Sequence, residues 1–179
     1  MSGEQTIRVL IDQQTIAARV TALAGEIKAA KLQNLLVIAV LKGSFMFAAD
    51  LLRALHELGV DLQAEFIHIS SYGTGTVSSG RLNVLKDIDS PVEGRDILLV
   101  DDILESGRTL AFAKDLFVAR GAKNVQLCVL LEKPGHRAVQ IEANYVGFKC
   151  PDLFVVGYGM DVAHSFRQLP FVGVVETKG

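Results

Sequence analysis

An α/β fold, with a mostly parallel twisted sheet flanked by helices, is what the sequence predicts, and three observations carry the expectation. Residues 35 to 41, LLVIAVL, form a continuous apolar run of strand length, and helical periodicity follows at once in FMFAADLLRALHEL. Residues 96 to 100, DILLV, begin a second series: a polar loop, the helical stretch LAFAKDLFVARG, then VQLCVLL. Strands apolar on both faces belong in a sheet covered by helices on both sides, and a strand, helix, strand series pairs its strands in parallel. The 179 residues are 50% hydrophobic and 21% charged, a balance that lets one domain bury its own core, so residues 1–179 are read as a single domain.

The elements follow in chain order. Asp12 is placed to cap a helix whose apolar positions Ile16, Val20, Leu23 and Ile27 recur at helical spacing. After the first buried strand and its helix, DLQAEFIHIS (61 to 70) alternates as a second strand and runs into SSYGTGTVSSG, a long polar, glycine-rich loop. RLNVLKDI (81 to 88) reads as another strand. In the second series Leu110 is expected to open the helix and Gly121 to end it. The last third has short apolar runs at YVGF, LFVVGY and FVGVV with little helix between them, which predicts strands in a less regular arrangement.

Composition excludes several function classes. A formal charge of -2 gives no general pull toward nucleic acid or acidic membranes, so any anionic ligand must be met by a local basic cluster. Cys128 and Cys150 stand too far apart for a CxxC metal or redox motif and suit burial in a reducing compartment. The opening MSGEQTIRVL lacks the basic then apolar pattern of a signal segment, and the longest purely apolar run, 35 to 41, is far short of a membrane span. A cytoplasmic protein is expected, with neither membrane nor nucleic acid as partner. The glycines make neither GxxxxGK[ST] nor GxGxxG, which argues against a P-loop or dinucleotide site.

In a parallel sheet the ligand site lies at the carboxyl ends of the strands, so the strand-to-helix loops at 41 to 44 and 101 to 109 draw attention. In the second, Ser106, Gly107, Arg108 and Thr109 stand at a helix N-terminus, where unbonded N–H groups and the helix dipole favour an anion. Gly107 lets the backbone approach a phosphate, and the Ser106 and Thr109 hydroxyls add donors. Asp101 and Asp102 precede that loop. Neighbours on a strand point to opposite faces, so they are expected to serve one ligand just where the strand has ended, binding vicinal sugar hydroxyls or hydrated Mg2+. Acidic residues and hydroxyls at such a junction are otherwise helix caps and solvated turns.

At this point VDDILESGRTL resembles the phosphoribosyl pyrophosphate signature of the type I phosphoribosyltransferases, in their hypoxanthine-guanine branch. LKGS, SSYG, LLEKPGHR, LFVVGYGMD and SFRQL match further along, over most of the chain. The resemblance implies the fold of that family, with a small hood built from the chain ends, a flexible lid loop, and a homodimer or homotetramer. It implies transfer of a phosphoribosyl group to a 6-oxopurine, with Mg2+ as cofactor and pyrophosphate as product. Lys42 and Gly43 would bind pyrophosphate, with the Leu41 to Lys42 peptide cis, and Ser71 and Tyr72 would lie on the lid. Arg167 is similar to the arginine that contacts pyrophosphate, and Arg137 is expected to support that area. Lys133 would donate to the 6-oxo group, which selects oxopurine over adenine. Phe154 would stack on the base, with Val155 and Asp161 around its other edge and Asp161 near a second Mg2+. Read without the resemblance, Lys42 is a solvated strand end, Lys133 a surface lysine and Phe154 a core residue.

The chain departs from the family in one place. Where aspartate more commonly accepts the purine N7 proton, this chain has Glu105, one methylene longer, which acts either directly or through water; alone it could favour the helix N-terminus. Two other readings of the motif are xanthine or a pyrimidine as the acceptor base, and a non-catalytic regulator binding RNA or DNA. Lys133 with the Phe154 region favours an oxopurine over uracil, and the lack of a basic tract or helix-turn-helix segment disfavours the regulator.

Overall fold

Three β/α series and two kinds of sheet make up the computed structural model, which describes residues 5–71 and 82–177. In chain order the elements are β1 (Gln5–Ile11), α1 (Gln13–Ala29), β2 (Leu35–Leu41), α2 (Phe45–Glu57), β3 (Leu62–Ser71) and β4 (Leu82–Lys86). They continue with β5 (Asp96–Leu104), α3 (Arg108–Ala119), β6 (Asn124–Glu132), β7 (Tyr145–Lys149), β8 (Val155–Val156) and β9 (Val172–Thr177).

The larger sheet has six strands in the order β4-β3-β2-β5-β6-β7, and every pairing in it is parallel except that of β3 with β4. Period-two alternation explains why β2, and β5 from Ile97 to Val100, are apolar on both faces. Leu35, Val37 and Ala39 of β2 join Leu98 and Val100 of β5 in the core beneath α1 and α2. Leu36, Ile38 and Val40 join Ile97 and Leu99 in the core around α3. Each strand therefore feeds two cores, and in β5 neither face carries a polar residue between Asp96 at its start and Asp101 toward its carboxyl end.

The chain leaves β2 toward β3 on one side and leaves β5 toward β6 on the other, while β2 and β5 are paired. Their carboxyl ends thus diverge into two loops with a crevice between them, the position at which open α/β sheets bind ligands. Asp12 caps α1 as expected, its Oδ1 accepting from Thr15 N–H at 2.8 Å. Gly121, at φ +85°, closes α3 by donating to Val118 O at 3.0 Å.

The smaller sheet is the hood. Its order is β1-β9-β8, antiparallel throughout, and it joins the start of the chain to its last strand. Three expectations change here. Residues 5–11 form a strand that the opening sequence did not announce. LFVVGY contributes just Val155–Val156, because Gly157 and Tyr158 take positive φ values of 91° and 49° and turn the chain out of the ladder. The strand expected over 81 to 88 is the shorter Leu82–Lys86. Among the described residues no helix is long and apolar enough to cross a membrane. Most of the expected lid, from Tyr72 to residue 80, lies outside the described residues.

Candidate functional site

The two diverging loops enclose two adjoining cavities. The first, about 520 Å³, is walled by Lys42 and Gly43 from the end of β2, by Asp101 and Asp102 from β5, and by Ser106, Gly107 and Thr109 ahead of α3. The second, about 560 Å³, shares Lys42, Gly43, Asp102 and Glu105 with the first. It adds Lys133, Phe154, Val155, Asp161 and Arg167. Residues far apart in sequence thus meet at one switch point. Of the expected site residues, Arg108 is exposed and lines neither cavity. Ser71 ends β3, and Tyr72 lies outside the described residues.

The first cavity is built by local chain geometry. Helix α3 begins at Arg108, two residues before the expected Leu110, with Gly107 as its N-cap in the left-handed region at φ +78°. The first helical bond runs from Ala111 N–H to Gly107 O at 2.9 Å, so the amides ahead of Ala111 have no partner within the helix, and the Arg108 N–H donates at 3.4 Å to the Ser106 hydroxyl. A Cβ on Gly107 would collide with Ile141, which is why glycine stands here on grounds of both conformation and space. Gly43 is needed for space alone: a Cβ there would overlap the Asp102 carboxylate. The Leu41–Lys42 peptide is cis, as expected.

The expectation that β5 has ended by Asp101 is corrected. The ladder to β6 continues through Asp101↔Val129 to Leu104↔Glu132, so both aspartates lie within the strand. They nevertheless both line one cavity, each carboxylate held by the amide of the next residue: Asp102 N–H donates to Asp101 Oδ1 at 2.9 Å, and Ile103 N–H donates to Asp102 Oδ1 at 2.8 Å. Burial pushes the Asp101 carboxyl well above the usual carboxylate range, and the neighbouring Asp102 charge adds to that. Burial also raises Asp102, against the opposing pull of Asp101, the Ile103 amide and Arg167. Two oxygen-only acids at a sheet end fit a hard cation that keeps most of its waters, and equally a vicinal diol.

The second cavity is assembled from distant segments. Lys133 is 6% exposed, which removes the surface-lysine reading, and its Nζ lies 3.9 Å from Glu105 Oε1. Phe154 is 60% exposed, so it is not a core residue but a ring presented at the cavity wall. Val155, one position on, is buried in the hood and paired with Val174. Arg167 NH2 binds Asp161 Oδ1 at 2.8 Å while its NH1 donates to Gly159 O at 2.6 Å. Asp161 Oδ2 accepts from His164 N–H at 2.7 Å, so both oxygens of this candidate metal ligand already carry a partner.

Arg137, expected beside Arg167, lines neither cavity. Its guanidinium is turned onto main-chain carbonyls of the β5–α3 loop and of its own segment, and onto Glu132. Two residues that the motifs did not single out also border the site. His136 lines the first cavity and Asp152 the second, with His136 Nε2 2.9 Å from Asp152 Oδ2. The signal that could have found them is proximity: each falls within three residues of a residue assigned a role, His136 after Lys133 and Asp152 before Phe154.

A family model described as a phosphoribosyl transferase domain matches residues 9–163. The chain is 44% identical over 170 residues to the hypoxanthine-guanine phosphoribosyltransferase of Bacillus subtilis, covering 94% of this chain and 93% of that protein. It is 45% identical over 170 residues to the bifunctional protein TilS/HprT of Listeria innocua, of which it spans about a quarter of the length (26%), against 94% of its own. Among solved structures, a hypoxanthine-guanine phosphoribosyltransferase of Bacillus anthracis, with a HEPES molecule in its active site, superposes with a TM-score of 0.88 at 43% identity. That match covers 96% of this chain and all of the other (100%).

Proposed function

The chain belongs to the phosphoribosyltransferase family, and we propose that it transfers the 5-phosphoribosyl group from phosphoribosyl pyrophosphate to hypoxanthine or guanine, giving IMP or GMP and pyrophosphate in purine salvage. One observation carries the choice of base: a buried lysine ammonium stands 3.9 Å from a carboxylate at the mouth of the phosphate loop. The 6-oxo oxygen and N7 are neighbours on one edge of the purine, and a donor beside an acceptor at that separation complements them. Adenine would bring an amino group against Lys133, two donors facing one another.

In this reading the ribose 5-phosphate rests on Ser106, Gly107, Arg108 and Thr109, where amides and helix dipole meet its charge. Asp101 and Asp102 would accept from the ribose hydroxyls or hold water on Mg2+, and Asp161 would hold a second ion by sharing an oxygen that Arg167 or the His164 amide now occupies. Mg2+ when bound neutralises charge on the departing pyrophosphate. Lys42, Gly43 and Arg167 hold the same group, and Ser71 and Tyr72 close over it to exclude water. As pyrophosphate leaves, the ribose C1 gains positive character and the purine nitrogen attacks from the opposite face. Glu105 takes the N7 proton, directly or through water, while Lys133 holds O6 and the Phe154 ring and Val155 hold the base in plane. The rate gain comes from positioning and from charge placed in advance.

A single such domain fills residues 1–179, working as a homodimer or homotetramer in the cytoplasm, where two buried cysteines stay reduced. The test is formation of nucleoside monophosphate from phosphoribosyl pyrophosphate with hypoxanthine, guanine and xanthine, with adenine and uracil as controls. Product with the oxopurines and little with the controls is expected; no product with any base would sink the reading.

A further inference from the structure

Arg137 gives five hydrogen bonds, and their targets define what it does. NH1 donates to Glu105 O at 2.6 Å, to Leu104 O at 3.0 Å and to Lys133 O at 3.4 Å. Nε donates to Ile141 O at 3.3 Å, and NH2 to Glu132 Oε1 at 2.8 Å. Glu105 and Lys133 are 28 residues apart in sequence, yet one guanidinium grips the backbone of both. A lysine could not do this, because reaching carbonyls on several sides at once needs the rigid planar fork.

The phosphate side of the same loop is braced differently. Ala138 N–H donates to Ser106 O at 2.9 Å, and Gly107 packs under Ile141 and Val139. The loop thus has two anchors that meet at Arg137: the Ala138–Ser106 bond and the packing of Val139 and Ile141, with the Arg137 stem beside them, brace its phosphate-binding half, while the Arg137 NH1 donors grip the half that carries Glu105.

From these contacts we infer that Arg137, held by Glu132, is a positioning residue that sets the spacing of Glu105 and Lys133 and through it the preference for oxopurines. The inference rests on the oxopurine reading above. Loss of the grip lets the donor and the acceptor drift apart. A displacement of about 1 Å at a reacting pair can cost on the order of a hundredfold in rate. The ribose phosphate cradle keeps the Ala138–Ser106 bond and the Val139 packing, and loses just the weaker Arg137 contact with Ile141, so it is disturbed less.

The experiment compares the wild-type chain with Arg137→Lys, Arg137→Met and Glu132→Gln. Steady-state kinetics with hypoxanthine and adenine, calorimetric binding of Mg2+-phosphoribosyl pyrophosphate, and thermal unfolding are measured on each. For Arg137→Met the hypoxanthine KM rises and kcat falls, together costing about a hundredfold in kcat/KM, and the hypoxanthine to adenine ratio drops at least about tenfold. Affinity for phosphoribosyl pyrophosphate stays within about twofold, Arg137→Lys restores little, and Glu132→Gln moves the same quantities the same way by less. A variant that merely unfolds in part lowers Vmax with both KM values and the base preference unchanged. That pattern, or equal losses for purine and phosphoribosyl pyrophosphate, overturns the inference. If Arg137→Met yields no folded protein, Glu132→Gln decides by the same criteria. Wild-type protein that turns over no oxopurine overturns the functional reading itself, an outcome seen before any variant is compared.

Discussion

The half of the site proposed to take phosphate and the half proposed to take the purine are built by different means. The first is contiguous: residues 101 to 109 leave a parallel strand, turn at Gly107 and enter α3, so one stretch of backbone supplies carboxylates, amides and hydroxyls. The second is collected: Lys133 follows β6, Phe154 and Val155 come with β8, and Asp161 and Arg167 lie in the irregular chain between β8 and β9. A contiguous site takes its shape from local conformation, whereas a collected one takes it from long-range pairing and from braces such as Arg137. Damage to the first should therefore appear in handling of phosphoribosyl pyrophosphate, and damage to the second in handling of the base.

The sharpest way to break this division is Lys133→Ala. Removing a buried donor leaves the 6-oxo group unpaired, and kcat/KM for hypoxanthine is expected to fall by roughly a hundredfold or more, with the KM for phosphoribosyl pyrophosphate within about threefold of wild type. Steady-state kinetics with each substrate varied separately checks it; a matching loss in both constants would merge the two halves into one. Gly107→Ala is the converse. A Cβ at φ +78° against Ile141 is expected to weaken phosphoribosyl pyrophosphate binding about tenfold and to lower stability by about 1–2 kcal/mol, with the purine KM little changed, read by calorimetry and thermal unfolding. Phe154→Leu should raise the purine KM about fivefold and leave the melting temperature in place, since an exposed ring contributes little to the core.

The smallest effect concerns stability. Burial raises the Asp101 pKa in the folded chain above its unfolded value, so the folded state binds the extra proton and stability falls as pH rises from the unfolded pKa of 3.8 through the raised folded value. Asp101→Asn removes the titration while keeping shape. In the metal-free chain it is expected to raise the melting temperature by about 2–4 °C at pH 8, with a gain that shrinks toward pH 4, at the expense of activity. A gain independent of pH would show that the Asp101 charge is not its source.

The same division explains what could be read from the sequence. The parallel sheet, the Asp12 cap, the Gly121 stop and the phosphate loop are set by periodicity and short-range chemistry, which a linear reading sees. β1 was not seen, because its partner lies some 165 residues away and a short alternating run near a chain start has no local mark of its own. The continuation of β5 through Asp101 and Asp102 was missed because paired acids read as the end of a strand, while the ladder from β6 overrides that signal. Lys133 and Phe154 were identified through family likeness, since neither burial of the first nor exposure of the second is written in neighbouring residues. Arg137 was assigned to the wrong side for a related reason: nothing local says which carbonyls an arginine will find.

The hood also sets an order of events during synthesis. Every strand of the larger sheet is complete once residue 149 has emerged, so the phosphate loop can be shaped while translation is still in progress. β1, made before the other strands described, has its ladder partner in β9, and β8 pairs with β9 too, at Val155↔Val174. The wall that carries Phe154 and Val155 therefore waits for the final strand. A nascent chain stalled before Val172 would hold the 101 to 109 loop between β5 and α3 with the Phe154 wall still unpaired.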